Sequence, residues 1–155
     1  MTPLSDRLAA LGLTLPAANA PLASYVPTRR AGDLHFLSGH VPRNGGGVVA
    51  GVVGGGVDLA TARDLARTVA LDLLASAAAA LGSVDHIAGV VRITGFVRSG
   101  PGFGGQPAVI NGASDLFVDL FGERGRHARS SVGVSELPLG AVLEIEAIFE
   151  IADAL

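Results

Sequence analysis

Residues 128–151 read ARSSVGVSELPLGAVLEIEAIFEI, and the alternation of apolar positions in this stretch decides the architecture. From Val142 to Ile151 the odd positions are Leu143, Ile145, Ala147, Phe149 and Ile151, while Glu144, Glu146 and Glu150 fall on even ones. Side chains of a strand alternate between two faces, so this segment predicts a strand with an apolar odd face and a charged even face. Ala128 to Glu136 reads as another strand, and Pro138-Leu139-Gly140 as the turn of a hairpin between them. If Val132 and Val134 share the core with the odd face, the antiparallel register puts Arg129 and Ser131 beside Glu144 and Glu146 on the polar face. Such a face is either solvated, with cross-strand pairs worth ~0.2–1 kcal/mol each, or a site. A planar guanidinium can hold both oxygens of a small carboxylate, and a glutamate beside it can position or deprotonate a water.

Upstream, Ile87 to Arg98 is rich in β-branched residues and predicts a central strand. Leu59 to Leu81 carries a helical stripe of Leu, Ala and Val between a capping Asp58 and Gly82. A second helix begins around Pro107 and buries Val109, Ile110, Ala113, Leu116, Phe117, Leu120 and Phe121 before Gly122. Tyr25 to Arg30 and Leu34 to Ser38 read as a hairpin around Gly32-Asp33, and Leu4 to Leu13 as a short helix. The order ββ…α…β…α…ββ predicts one α+β domain over 1–155, a mixed sheet with two long helices on one face. Residues 1–24 form an N-terminal extension of helix and loop. Residues 44–56 form a glycine-rich insertion, whose spacing fits neither dinucleotide nor phosphate-loop patterns and predicts turns around a short strand.

Composition narrows the chemistry. The 155 residues include no cysteine, and all 11 basic residues are arginine, which removes thiolate nucleophiles, lysine Schiff bases and the lysine phosphate loop. A net charge of −3 gives no basic footprint for nucleic acid. With only 16% charged residues, part of the surface is expected to be covered in a homo-oligomer. No bilayer-length apolar run and no leader pattern stand in the sequence, so a cytoplasmic protein without a membrane partner is expected. His35 and His40 lack accompanying ligand spacing, and no metal is expected. His127, beside Arg124, Arg126 and Arg129, reads as an exposed loop histidine or as help for an anion. Ser130 and Ser131 show no triad order.

Ala128-Arg129-Ser130-Ser131-Val132-Gly133-Val134-Ser135-Glu136-Leu137-Pro138, followed by Leu143-Glu144-Ile145-Glu146-Ala147-Ile148, resembles the signature of the Rid family (YjgF/YER057c/UK114, also called the L-PSP endoribonuclease family). Tyr25, Ser38-Gly39-His40-Val41-Pro42 and Asn111 extend the resemblance to most of the chain. It implies a chorismate-mutase-like fold and homotrimers whose sheets form a central barrel, with sites in clefts between subunits. It also implies hydrolysis of reactive enamines and imines, such as 2-aminoacrylate and 2-iminopropanoate, to 2-oxo acids and ammonia without a cofactor. On this resemblance Arg129 grips the substrate carboxylate and Glu144 serves the attacking water. Tyr25 packs on the substrate from a neighbouring subunit, and Asn111 lies near the cleft. Ser131 stands where the deaminase branch often has cysteine, and His40 where glutamine is usual; both count as candidate substrate contacts. The alternatives are an endoribonuclease and a ligand-binding or chaperone-like trimer without turnover.

Overall fold

The structure, a computed structural model, describes residues 2–18, 20 and 24–152. In chain order its elements are α1 (Leu4–Ala10), β1 (Thr28–Ala31), β2 (Leu34–His40), β3 (Arg43–Asn44), β4 (Gly47–Val48), α2 (Leu59–Leu81), β5 (Ile87–Arg98), α3 (Gln106–Phe121), β6 (Ala128–Val134) and β7 (Leu143–Ile151). The two long helices begin and end where local chemistry dictates. The Asp58 side chain accepts the Thr61 N–H at 2.7 Å, and Gly82 closes α2 in the left-handed region that a Cβ disfavours. Pro107 sits in the first turn of α3, where its missing N–H costs no helix bond.

Both helices cover one face of a mixed sheet, as the sequence predicts; its five strands run in the order β1-β2-β7-β5-β6. Phe117, Phe149, Leu73, Leu74, Ile93 and Leu116 are fully buried between them. The helices touch at Gly112 of α3, where a Cβ would overlap the Arg63 carbonyl oxygen of α2. Alanine is the better helix former by about 1 kcal/mol, yet the neighbour here is backbone and cannot rotate away. Gly112→Ala is therefore expected to destabilise by about 1–3 kcal/mol, seen as a lower urea midpoint at unchanged slope.

The C-terminal hairpin does not form. β7 lies in the middle of the sheet, antiparallel to both β2 and β5, while β6 runs parallel to β5 at the edge. The turn at Pro138-Leu139-Gly140 instead starts a crossover that carries the chain past β5. This changes the faces. Ile93 pairs with Arg129 and Gly95 with Ser131, so Arg129 and Ser131 lie on the helix-covered side. Val132 is left on the open side at 44% exposure. Arg129 and Ser131 thus do not share a face with Glu144 and Glu146.

Other departures are local. Part of the N-terminal loop, residues 19 and 21–23, lies outside the described residues. α1 stops at Ala10 and packs Leu4 and Leu8 inward, with Ser5 N and Oγ donating to Asp85 at 2.8 and 3.0 Å. β1 starts three residues later than expected. The glycine-rich insertion forms a β3–β4 hairpin around Gly45-Gly46, whose φ values of +58° and +85° suit a two-residue turn. Val53, fully buried, ties the rest of the insertion to the sheet by donating from its N–H to the Arg98 carbonyl at 2.8 Å.

Candidate active site

On the edge strand β6, Arg129 reaches under the sheet towards α3. Its Nη1 donates to Asn111 Oδ1 at 2.6 Å and to Ser114 Oγ at 3.1 Å. Asn111 and Ser114 lie three residues apart, so both face the guanidinium from one side of the helix. Nη1 has two hydrogens, and both are taken. Among the described residues, no hydrogen bond or ion pair engages Nε or Nη2, so these donors remain for a ligand. Ser114 Oγ in turn meets His127 Nε2 at 3.0 Å, and His127 Nδ1 meets the Gly125 carbonyl oxygen at 2.6 Å. The imidazole is braced edge-on by Phe117. Ser131, two residues along β6, keeps its buried Oγ without a hydrogen-bond partner among the described residues.

On the open face of the sheet, Glu144 of β7 lies against the bulge where β2 shifts register between Leu37 and His40. A Cβ at Gly39 would overlap its Oε1, so glycine makes the room that the carboxylate occupies. Burial, and then the like charge of Glu146, push the Glu144 carboxyl above its ordinary pKa. The Ser38 N–H donates to the Pro27 carbonyl at 2.9 Å and Ser38 Oγ to the Val26 carbonyl at 2.8 Å. These bonds hold the chain before β1 beside the bulge and bring Tyr25, half exposed, to the same end of the sheet.

The candidates therefore fall into two groups. Arg129, Asn111 and Ser131 line the β6–α3 edge under the sheet; Glu144 and Tyr25 belong to the β2–β7 end. Glu144 is opposite Phe96, and Phe96 opposite Val132, so Arg129 is two strands across and three residues along. Each offset is about 10 Å, and the side chains leave opposite faces. His40 belongs to neither group. Its ring is buried towards α2, with Nε2 at 2.8 Å from Ser76 Oγ and Nδ1 at 2.7 Å from the Ser38 carbonyl oxygen, an arrangement that fixes the bulge from beneath. His35 is also buried on the helix side, and among the described residues no group of three or more His, Asp or Glu could hold a metal ion.

Ser114 escapes the sequence reading, and Gly39 enters it only within the Ser38–Pro42 resemblance, without a role. The Asn111-x-x-Ser114 spacing could have flagged the first; no local signal marks the second, because its role depends on a strand more than 100 residues away.

A mixed five-stranded sheet of this order, with two helices packed on one face, defines a chorismate-mutase-like class, and residues 5–151 match the family described as "YjgF/chorismate mutase-like, putative endoribonuclease". The chain belongs to that family. It is similar to the solved structure of Atu1372 from Agrobacterium tumefaciens, of unknown function, at 45% identity and a TM-score of 0.87, over 96% of this chain and 92% of that one. A "putative endoribonuclease" from Shewanella oneidensis superposes at a TM-score of 0.91 and 28% identity, covering 97% and 100% of the two chains. TdcF of E. coli, solved with bound serine, gives 0.57 at 27% identity over 89% of this chain and 94% of its own. No helix among the described residues is long and apolar enough to cross a membrane.

Proposed function

We propose that this protein hydrolyses small carboxylate-bearing imines and enamines, of the 2-iminopropanoate and 2-aminoacrylate type, to 2-oxo acids and ammonia, in sites between the copies of a homotrimer. The observation that carries the reading is the state of Arg129: both Nη1 hydrogens are held from behind by α3, which aims the remaining edge of the guanidinium outward. That edge is the bidentate partner a carboxylate requires. Serine, bound in TdcF, is a carboxylate-bearing molecule of similar size.

Within one copy, Glu144 is too far from Arg129, and on the wrong face, to act on a molecule this small. A second copy that lays its β2–β7 end against the β6–α3 edge brings a glutamate and a Tyr25 to the arginine. The tyrosine and the base then come together from the neighbour. The open face supports such an assembly: Phe36 and Val132 are 39% and 44% exposed on it, and Phe36, Ile148 and Glu146 line a hollow of ≈ 270 Å³ there.

In the reaction, Arg129 holds the carboxylate and Glu144 takes a proton from water as the oxygen bonds to the imine carbon. The imine nitrogen takes that proton back from Glu144 to give the carbinolamine. Its hydroxyl proton then passes through Glu144 to nitrogen as the C–N bond breaks, releasing ammonia and leaving the 2-oxo acid. An enamine first moves a proton from nitrogen to its Cβ to become the imine. A carboxylate whose pKa is raised by burial holds the water's proton more readily than an ordinary one before returning it. Under light scattering at micromolar concentration, the protein is expected to be a trimer. It should also accelerate ammonia release from imines generated in situ by an amino-acid oxidase. A monomer, or a trimer inert towards every small imine, overturns this reading. RNA cleavage that weakens steeply with salt would favour the endoribonuclease.

A further inference from the structure

The hydrogen bonds behind Arg129 have a fixed direction. The Gly125 carbonyl can only accept, so His127 Nδ1 carries a hydrogen. In the neutral ring Nε2 is then a lone pair, and the Ser114 hydroxyl donates to it. This turns the oxygen lone pairs of Ser114 to Arg129 Nη1, which donates to them. The chain runs Arg129 to Ser114 to His127 to Gly125, and reverses in part only if Nε2 gains a proton.

We propose that Ser114 and His127 are positioning residues for Arg129, and that an anion bound by Arg129 is taken up together with a proton on His127. The inference rests on Arg129 as the carboxylate site and adds a proton linkage to it. Protonated Nε2 donates to Ser114 Oγ and frees the hydroxyl hydrogen for an acceptor on the Arg129 side. Two cations joined through one hydroxyl repel each other, and a bound carboxylate relieves that repulsion. By reciprocity, the anion makes His127 easier to protonate.

Among the described residues, His127 is otherwise isolated from charge. From α3 it meets Ser114 and the edge of Phe117, while Asp115 of that helix pairs with Arg63 of α2. In the preceding turn Glu123 pairs with Arg126, and Arg124 with Glu150. Arg92 of β5, opposite Ala128, bonds Ser130 on the open face. Among the described residues, Arg129 remains the one charge directed at the ring. Burial first, and then Arg129, hold the imidazole below its ordinary pKa, against the raising effect of the Gly125 bond.

Pyruvate, the 2-oxo acid released from 2-iminopropanoate, serves as the probe. Calorimetry on the full chain, in buffers of different ionisation heat, should show proton uptake on binding, with affinity about three- to tenfold weaker at pH 8 than at pH 6. In His127→Asn the part of this dependence due to the ring disappears; uptake that remains belongs to Glu144. The His127 C2–H resonance, assigned by its loss in that variant, should titrate at higher pH when pyruvate is saturating. Ser114→Ala should weaken pyruvate binding several-fold and raise KM more than it lowers kcat. Pyruvate binding with an unmoved His127 titration overturns the linkage and leaves the carboxylate site standing. Absence of saturable binding at every pH removes that site and this inference with it.

Discussion

Glu144→Gln is expected to lower kcat for imine hydrolysis by ~10²–10⁴, the usual loss when a positioned general base is removed, while pyruvate binding persists. The amide keeps the shape that fits over Gly39 and loses only the proton acceptor. Gly39→Ala offers an independent route to the same deficit, because its methyl group would displace the carboxylate rather than neutralise it. The sign of the pH effect follows from the burial of Glu144 and the neighbouring charge of Glu146, both of which raise its pKa. Because the ionised form is the base, activity should fall as pH drops through a value above the ordinary carboxylate range. Glu146→Gln removes a like charge and should move this acid limb downward. Unchanged kcat in Glu144→Gln assigns the water to another group.

Arg129→Lys keeps the charge and should still cost about 2–5 kcal/mol in kcat/KM for carboxylate-bearing imines. An ammonium can replace one contact of a planar fork, but cannot bond Asn111 and Ser114 and also present two parallel donors to the substrate. The loss should vanish for an imine without a carboxylate, a comparison that separates anchoring from general damage to the fold. Equal losses on both substrates argue against the anchor.

The long elements were legible in the sequence, the short ones less so. α2 and β5 run over the residues their patterns mark, because an N-cap, a terminal glycine and a run of β-branched residues are local signals. The partner of β6 was not legible. Period-two alternation says which residues share a face within one strand and is silent about the strand beside it. Pro138-Leu139-Gly140 has hairpin chemistry, yet here it opens a crossover. Val132 misled the face assignment, since on an edge strand an apolar side chain can remain outside while Arg129 and Ser131 turn towards α3. The division of Arg129, Asn111 and Ser131 from Glu144 and Tyr25 rests on a pairing that no local pattern encodes. His40 shows the same limit: its neighbourhood marks a loop near the site, and only the packing of α2 reveals that the ring faces Ser76.

The central position of β7 has a consequence for biosynthesis. This strand, Leu143–Ile151, separates β2 from β5, so a nascent chain that has emerged only as far as Val142 holds two sheet fragments with nothing between them. Its helices have been made by then, but the apolar faces they would cover cannot yet close. A chain that has not yet made β7 cannot close this sheet, and its two fragments expose the unpaired edges and apolar faces that favour aggregation. Ribosome-stalled chains ending before residue 143 should consequently be protease-sensitive throughout, with protection arriving in one step once β7 has emerged.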